Sequence, residues 1–245
     1  MSEITQEQFV ALEAAHGAGM VLVLSVGEDE FAFRRPSDAD VEFAMDERDR
    51  GVLEWMEHAL ISCALCPATP HANAIPANKE DKPKITPELV AVRQRIQAIW
   101  AESPFCRDSV PLVWAQSCGW GQEIAQKALG GGKYELTVFS NAKMGAEEWS
   151  YKAAAMVLSG AQYEKLRKLG LAEGTAADRF AFTAAIGSFS GIDREEFARR
   201  YPFAVLGLGQ LARALGSESR AVSVKKYNAG SAQQPGISTS TPANG

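Results

Sequence analysis

The stretch "ISCALCPATPH", Ile61 to His71, sets Cys63 and Cys66 in C-x-x-C spacing, followed by a proline and an imidazole. Thiolates at that spacing bind soft metals or exchange disulfides. A structural zinc site takes four ligands, usually as two such knuckles. The other two cysteines, Cys106 and Cys118, stand twelve apart, and His71 is the only nearby imidazole. A thioredoxin-like pair would follow a strand and open a helix, whereas this one closes a helical pattern. Two small apolar side chains packed one turn apart account for the spacing, because free cysteine is among the most buried residue types.

Other arrangements that could carry chemistry fail on particular residues. "GSFSG", Gly187 to Gly191, has Phe189 where a nucleophile elbow needs serine. "GGGK" lacks the upstream glycine of a phosphate loop, and Tyr134 follows Lys133 where Ser or Thr belongs. Both read as turns. His58 lies one turn after Glu54, where a solvated or locally bonded ring is expected, and His16 suits the negative end of a first helix. The carboxylate runs Glu28-Asp29-Glu30, Glu147-Glu148 and Glu195-Glu196 sit at turns or helix starts. No catalytic residue, metal ligand or cofactor is assigned, and a non-enzymatic protein is expected.

The 245 residues are 46 % apolar and 22 % charged, the balance of a globular protein with a core that needs no staples. A net charge of −5 argues against a general nucleic-acid binder. Four cysteines do not make a disulfide framework. No apolar run approaches the roughly 18 residues of a membrane span, and the acidic start "MSEITQEQ" lacks the basic region of a signal peptide. A reducing cytoplasm is the expected setting, with no membrane and no nucleic acid as partner.

The elements that must position these residues follow from periodicity and punctuation. Residues 4–15 predict a short helix, and "MVLVLSV", "GEDE" and "FAFRR" predict a hairpin over residues 20–35. Ser37 caps the next helix, with Asp38 and Asp40 in its first turn. Val52, Met56, Ala59, Leu60 and Cys63 share a helix face, and five prolines over 67–87 predict a loop. Thr86-Pro87 opens a helix to Trp100, and another is expected from about Val110 to Cys118. "QEIAQKAL" reads as helix and "KYELTVFS" as a strand that extends the hairpin into three strands. Helices follow at 145–158, 160–169 and 175–187. Asp193 and Glu196 resemble a capping box, and Pro202 starts a last helix whose stripe from Tyr201 to Leu215 is closed by Gly216. Trp100, Trp114 and Trp120 crowd the middle as a second small core or an interface, with core expected for most of the tryptophans. The fold class is mainly α with a small antiparallel β-sheet and a disordered C-terminal tail. Residues 1–67 form an N-terminal part of the core, 68–87 a Pro-rich loop, and 88–190 a helical insert with one strand at 133–140. Residues 191–216 are helices completing the core, and 217–245 are the tail.

Two separated segments carry a resemblance. The first is "DEFAFRRPSDADVEFAM" leading through a helix to "ALISCALCP", and the second is "EEFARRYPFAVLGLGQLARALG". In that order they resemble the tail assembly chaperones of long-tailed bacteriophages. The matched positions are Phe33, Arg34, Pro36, Phe43, Cys66, Pro67, Tyr201, Pro202, Leu211 and Gly216. On this pattern Cys66 packs and does not ligate, and residues 68–190 form a large insertion. The resemblance implies a non-catalytic chaperone acting in the host bacterial cytoplasm during virion assembly. It would keep the tape measure protein and the tail tube protein soluble until the tube polymerises, and would be absent from the finished particle. The matched residues would serve partner binding or the core, and self-association is left open. The alternative is a structural or adaptor protein retained in the virion.

Overall fold

Thr5 begins the first element: its hydroxyl accepts from the Gln8 N–H while the Gln8 side chain accepts from the Thr5 N–H, and this reciprocal cap starts α1 (Gln6–His16). The computed structural model describes residues 3–74, 85–143, 145–168 and 175–218. The expected tail falls outside them from residue 219 on, as do residues 75–84 of the expected Pro-rich loop. After α1 the chain turns through Gly17 and Gly19 into β1 (Val21–Val26) and β2 (Asp29–Arg34). These pair antiparallel about Gly27-Glu28, with Gly27 at φ 66°.

Ser37 caps α2 (Asp38–Asp49) through a reciprocal bond with Asp40, as its position predicts. The α3 helix (Trp55–Ser62) buries Trp55, Ala59 and Leu60 and ends at Cys63. The chain then runs along β2 as a third, very short strand. Ala64 pairs with Phe33, the Arg34 N–H donates to the Cys63 carbonyl, and the Leu65 N–H donates to the Ala32 carbonyl. "ISCALCP" is therefore a helix end that re-enters a sheet.

Thr86 and Pro87 open α4 (Pro87–Glu102) as expected. The next helix, α5 (Pro104–Ser117), begins well before Val110, because the Ser103 hydroxyl caps it by accepting from the Cys106 N–H and Pro104 takes the first helical position. The larger corrections follow. "QEIAQKAL" is not helical but forms β3 (Glu123–Gly130), paired with β4 (Lys133–Phe139). Gly130, Gly131 and Gly132 all have positive φ, so the turn between them folds the chain back. Pairing then overrides the helical propensity of Ala, Gln and Lys. Residues 145–158, also expected as helix, contain β5 (Ser150–Met156), in which Ala153 and Ala155 alternate inward. After α6 (Gly160–Lys168) and α7 (Thr175–Ala185), "GSFSG" is strand rather than turn. It lies in β6 (Ile186–Ser190), and only Gly191 turns, at φ 88°.

The second sheet has the order β3-β4-β5-β6 and is separate from the β1-β2 hairpin. Residues 133–140 therefore do not extend the hairpin: β3 and β5 occupy both edges of β4, and Ala64 sits on the outer edge of β2. Among its described residues the stretch 88–190 carries four strands where one was expected. Asp193 caps α8 (Arg194–Arg200), accepting from the Glu195 and Glu196 N–H groups. The final helix, α9 (Pro202–Glu218), runs through Gly216, which does not close it. A helical glycine carries a cost of about 1 kcal/mol that packing elsewhere on the helix outweighs.

Nine helices and two antiparallel sheets are present among the described residues, a mainly α architecture. α9 is the wall between two cores. Phe203 and Leu206 join Phe33, Val41, Trp55, Ile96 and Trp114 on one side. Ala204, Val205 and Leu208 join Leu136, Trp149, Phe182 and Phe197 on the other. No helix among the described residues is long and apolar enough to cross a membrane.

Candidate interaction surfaces

The two cysteines of the opening motif separate in the fold. Cys63 lies in the main core with Cys118, whereas Cys66 packs with Ala72 and Leu89 in a small satellite cluster. Burial pushes the Cys63 and Cys118 thiols up to about 12, so neither offers a thiolate near neutral pH. His16 binds the Pro70 carbonyl at 2.8 Å and His58 faces Glu47 at 3.0 Å. Among the described residues no group of three His, Cys, Asp or Glu side chains could hold a metal ion.

The matched residues occupy several environments. Phe33 and Tyr201 are almost fully buried, and Arg34, Pro36, Cys66 and Pro202 are buried. Pro67 is half-buried, Leu211 packs part-exposed against the second core, and Gly216 lies within α9. Phe43, on α2, is the one strongly exposed side chain of the set among the described residues, at 49 %. The structure thus brings Phe33 into one core with Phe203, the residue after Pro202, and leaves Phe43 on the surface.

The residue that makes this junction is Arg35, which the sequence reading passed over. Its Nε donates to the Gly19 carbonyl at 2.9 Å and its Nη1 to the Arg200 carbonyl at 2.9 Å and to the Ser117 carbonyl. Its Nη2 pairs with Glu147. The guanidinium also stands 5.3 Å from the Tyr201 ring centroid. Burial pushes the Tyr201 phenol up, and its hydroxyl donates to Glu147 Oε1 at 3.3 Å. One signal for this hub was present in the sequence: a second arginine, between Arg34 and Pro36, at a strand end where the chain turns inward.

Arg34 is held differently, by two bonds to the Asp40 carboxylate at 2.6 and 3.0 Å. Burial would raise the Asp40 carboxyl, but the hydrogen bonds and charge of Arg34, with bonds from Ser37, hold it below its ordinary value of 3.8. A carboxyl depressed in the folded state stabilises the fold above its unfolded pKa, and that contribution fades as pH falls through the folded value. Stability is therefore expected to drop below about pH 4 in the parent. In Asp40→Asn it starts lower and shows a weaker dependence there. Urea midpoints at pH 6 and pH 3 check this, and equal slopes in both proteins would refute it.

Around these cores lie open concavities. A cleft of about 420 Å³ lies between α3, α4 and α5. A groove of about 560 Å³ runs beside Val23, Leu24 and Ser25 of β1, where Phe105 is 69 % exposed. On that side β1 forms no ladder with another strand among the described residues. A third cavity, about 920 Å³, is walled by Arg48 of α2 and by the ion-paired Asp178 and Arg213 of α7 and α9. Comparison of the chain with protein-family models, with curated proteins and with solved structures found no match.

Proposed function

We propose that this protein is a non-catalytic tail assembly chaperone of the long-tailed phage type, which keeps the tape measure protein and the tail tube protein soluble and assembly-competent in the host cytoplasm. One observation carries the reading. The two segments that resemble that family are separated by residues 68–194, yet they meet in space, with Phe203 and Leu206 packed in one core with Phe33 and Val41. Arg35 ties the first segment to the Arg200 carbonyl at the entry of the second. An insertion between them would leave such a pairing intact.

A holding chaperone needs exposed apolar surface that a client covers and gives up when a competing assembly buries it better. Phe43, Leu53 and Phe105, exposed at 49, 89 and 69 %, are side chains of that kind. Co-expression with the tape measure and tail tube proteins is the test. The soluble fraction of at least one is expected to rise and to co-purify with this chain, and mass spectrometry of finished particles is expected to lack it. If neither client gains solubility, the reading fails. A fixed copy number in purified particles would replace it with a virion adaptor.

A further inference from the structure

The cleft between α3, α4 and α5 has an apolar floor and an acidic rim. Ile61, Trp100 and Pro104 line it, with Trp100 only 5 % exposed and its Nε1–H without a hydrogen-bond partner. Glu54 and Glu57 stand on the α3 side and Arg107 on the α5 side. Arg107 is committed to Glu57, with Nε at 2.8 and 3.0 Å from its two oxygens, and reaches Glu54 only at 3.7 Å. The imidazole of His58, also on the cleft, faces Glu47 at 3.0 Å. Two cleft carboxylates thus share one guanidinium, and Glu54, with 44 % of its side chain exposed, is the less engaged of the two. Leu53, one residue before Glu54, is 89 % exposed.

We infer that this cleft docks a basic amphipathic helix of a partner protein. The charge decides the sign of the partner: a lysine or arginine completes Glu54, and an acidic segment is repelled. The walls decide its shape. They are three helices whose backbone groups are largely spent within them, so an extended strand gains no ladder there. A helix instead presents apolar side chains at i, i+3 and i+4 to Ile61, Trp100 and Pro104, with a basic residue beside them for the rim. This names the partner chemistry for the chaperone reading, and rests on that reading only for the premise that a partner protein is bound.

The test uses the full chain and a fluorescein-labelled synthetic peptide of about five helical turns, leucine on one face and lysine on the other. A second peptide has glutamate in place of lysine. Anisotropy at physiological salt should show binding of the lysine peptide and weak or no binding of the glutamate peptide. Glu54→Lys should weaken the lysine peptide roughly tenfold, since an attraction becomes a repulsion at a half-solvated rim. Glu54→Gln, which keeps the shape, should weaken it by roughly threefold, and Leu53→Ser by a similar factor through lost apolar cover. Glu164→Lys, at an exposed carboxylate of α6 paired with Arg167, should change nothing. Equal binding of both peptides, equal loss from Glu164→Lys and Glu54→Lys, or no binding would overturn the assignment. So would a shift in sedimentation on Glu54→Lys, which would show that a second copy covers the cleft. Peptide failure with successful client solubilisation removes the cleft and leaves the chaperone reading standing. Peptide binding without client solubilisation does the reverse.

Discussion

Arg35→Met is expected to lower the unfolding free energy by about 3–5 kcal/mol, the range for removing one partner of a buried ionic network. Methionine fills much of the space but donates nothing. The carbonyls of Gly19, Ser117 and Arg200 and the Glu147 carboxylate lose their shared donor. These acceptors come from four separate stretches of chain, so no local adjustment can satisfy them all. Arg35→Lys should recover less than half of the loss, because one ammonium cannot reproduce a planar fork that spans four acceptors. Denaturant unfolding followed by tryptophan fluorescence, with the slope unchanged, provides the measurement. A loss below about 1 kcal/mol would mean that the network contributes no more than a surface pair.

Gly209→Ala is expected to destabilise although helix propensity predicts a gain. In a solvent-facing helix the change stabilises by about 1 kcal/mol. At residue 209 the added methyl would meet the backbone of Asp178 on α7, whose Cα lies 2.8 Å from the methyl position. α7 cannot simply retreat, because Asp178 is bonded to Arg213 at 2.8 Å and to Gln210 at 3.2 Å, both on α9. The net effect should be a loss of about 2 kcal/mol or more, the scale of overpacking in a closed interface. In a chain of this length that lowers Tm by roughly 2–4 °C per kcal/mol. Gly207→Ala is the control. There the atoms nearest the methyl all belong to the side-chain amide of Gln122, which can swing aside, so propensity should win. If both variants raise Tm, the close approach of α7 and α9 is not a constraint.

Much of the helical part of the fold could be read locally. Thr86-Pro87, Ser37 with Asp40, Asp193 and the Pro202 break each mark an element start through a cap or a fixed φ, and the structure places helix starts at all four. The second sheet could not be read this way. β5 contains Ala153, Ala154 and Ala155, which are helix formers held in a strand by β4 on one side and β6 on the other. That information lies in the partners, not in the stretch itself. α5 was only half legible because its cap, Ser103-Pro104, sits among breaks that read as loop. That the cysteines are packed was legible from their spacing, but their separation into two clusters was not, because the chain leaves α3 at Cys63 and pairs with β2 before it reaches Cys66. The acidic cleft was not, since Glu54, Trp100 and Arg107 come from three helices and no spacing connects them.

Because α9 closes both cores, the order of synthesis matters. Trp55, Trp114 and Trp120 converge on Phe203, with ring centroids 6.3, 6.0 and 5.8 Å away. That ring reaches them only after the whole second sheet has been made. At roughly 5–20 residues per second, the ribosome needs roughly 4–17 s to travel from Cys118 to Phe203. For that interval the nascent N-terminal part holds three indoles around an empty seat, and neither core can seal. The yield of folded protein in the cell is then governed by what shelters that aromatic surface during translation as much as by the stability of the finished chain.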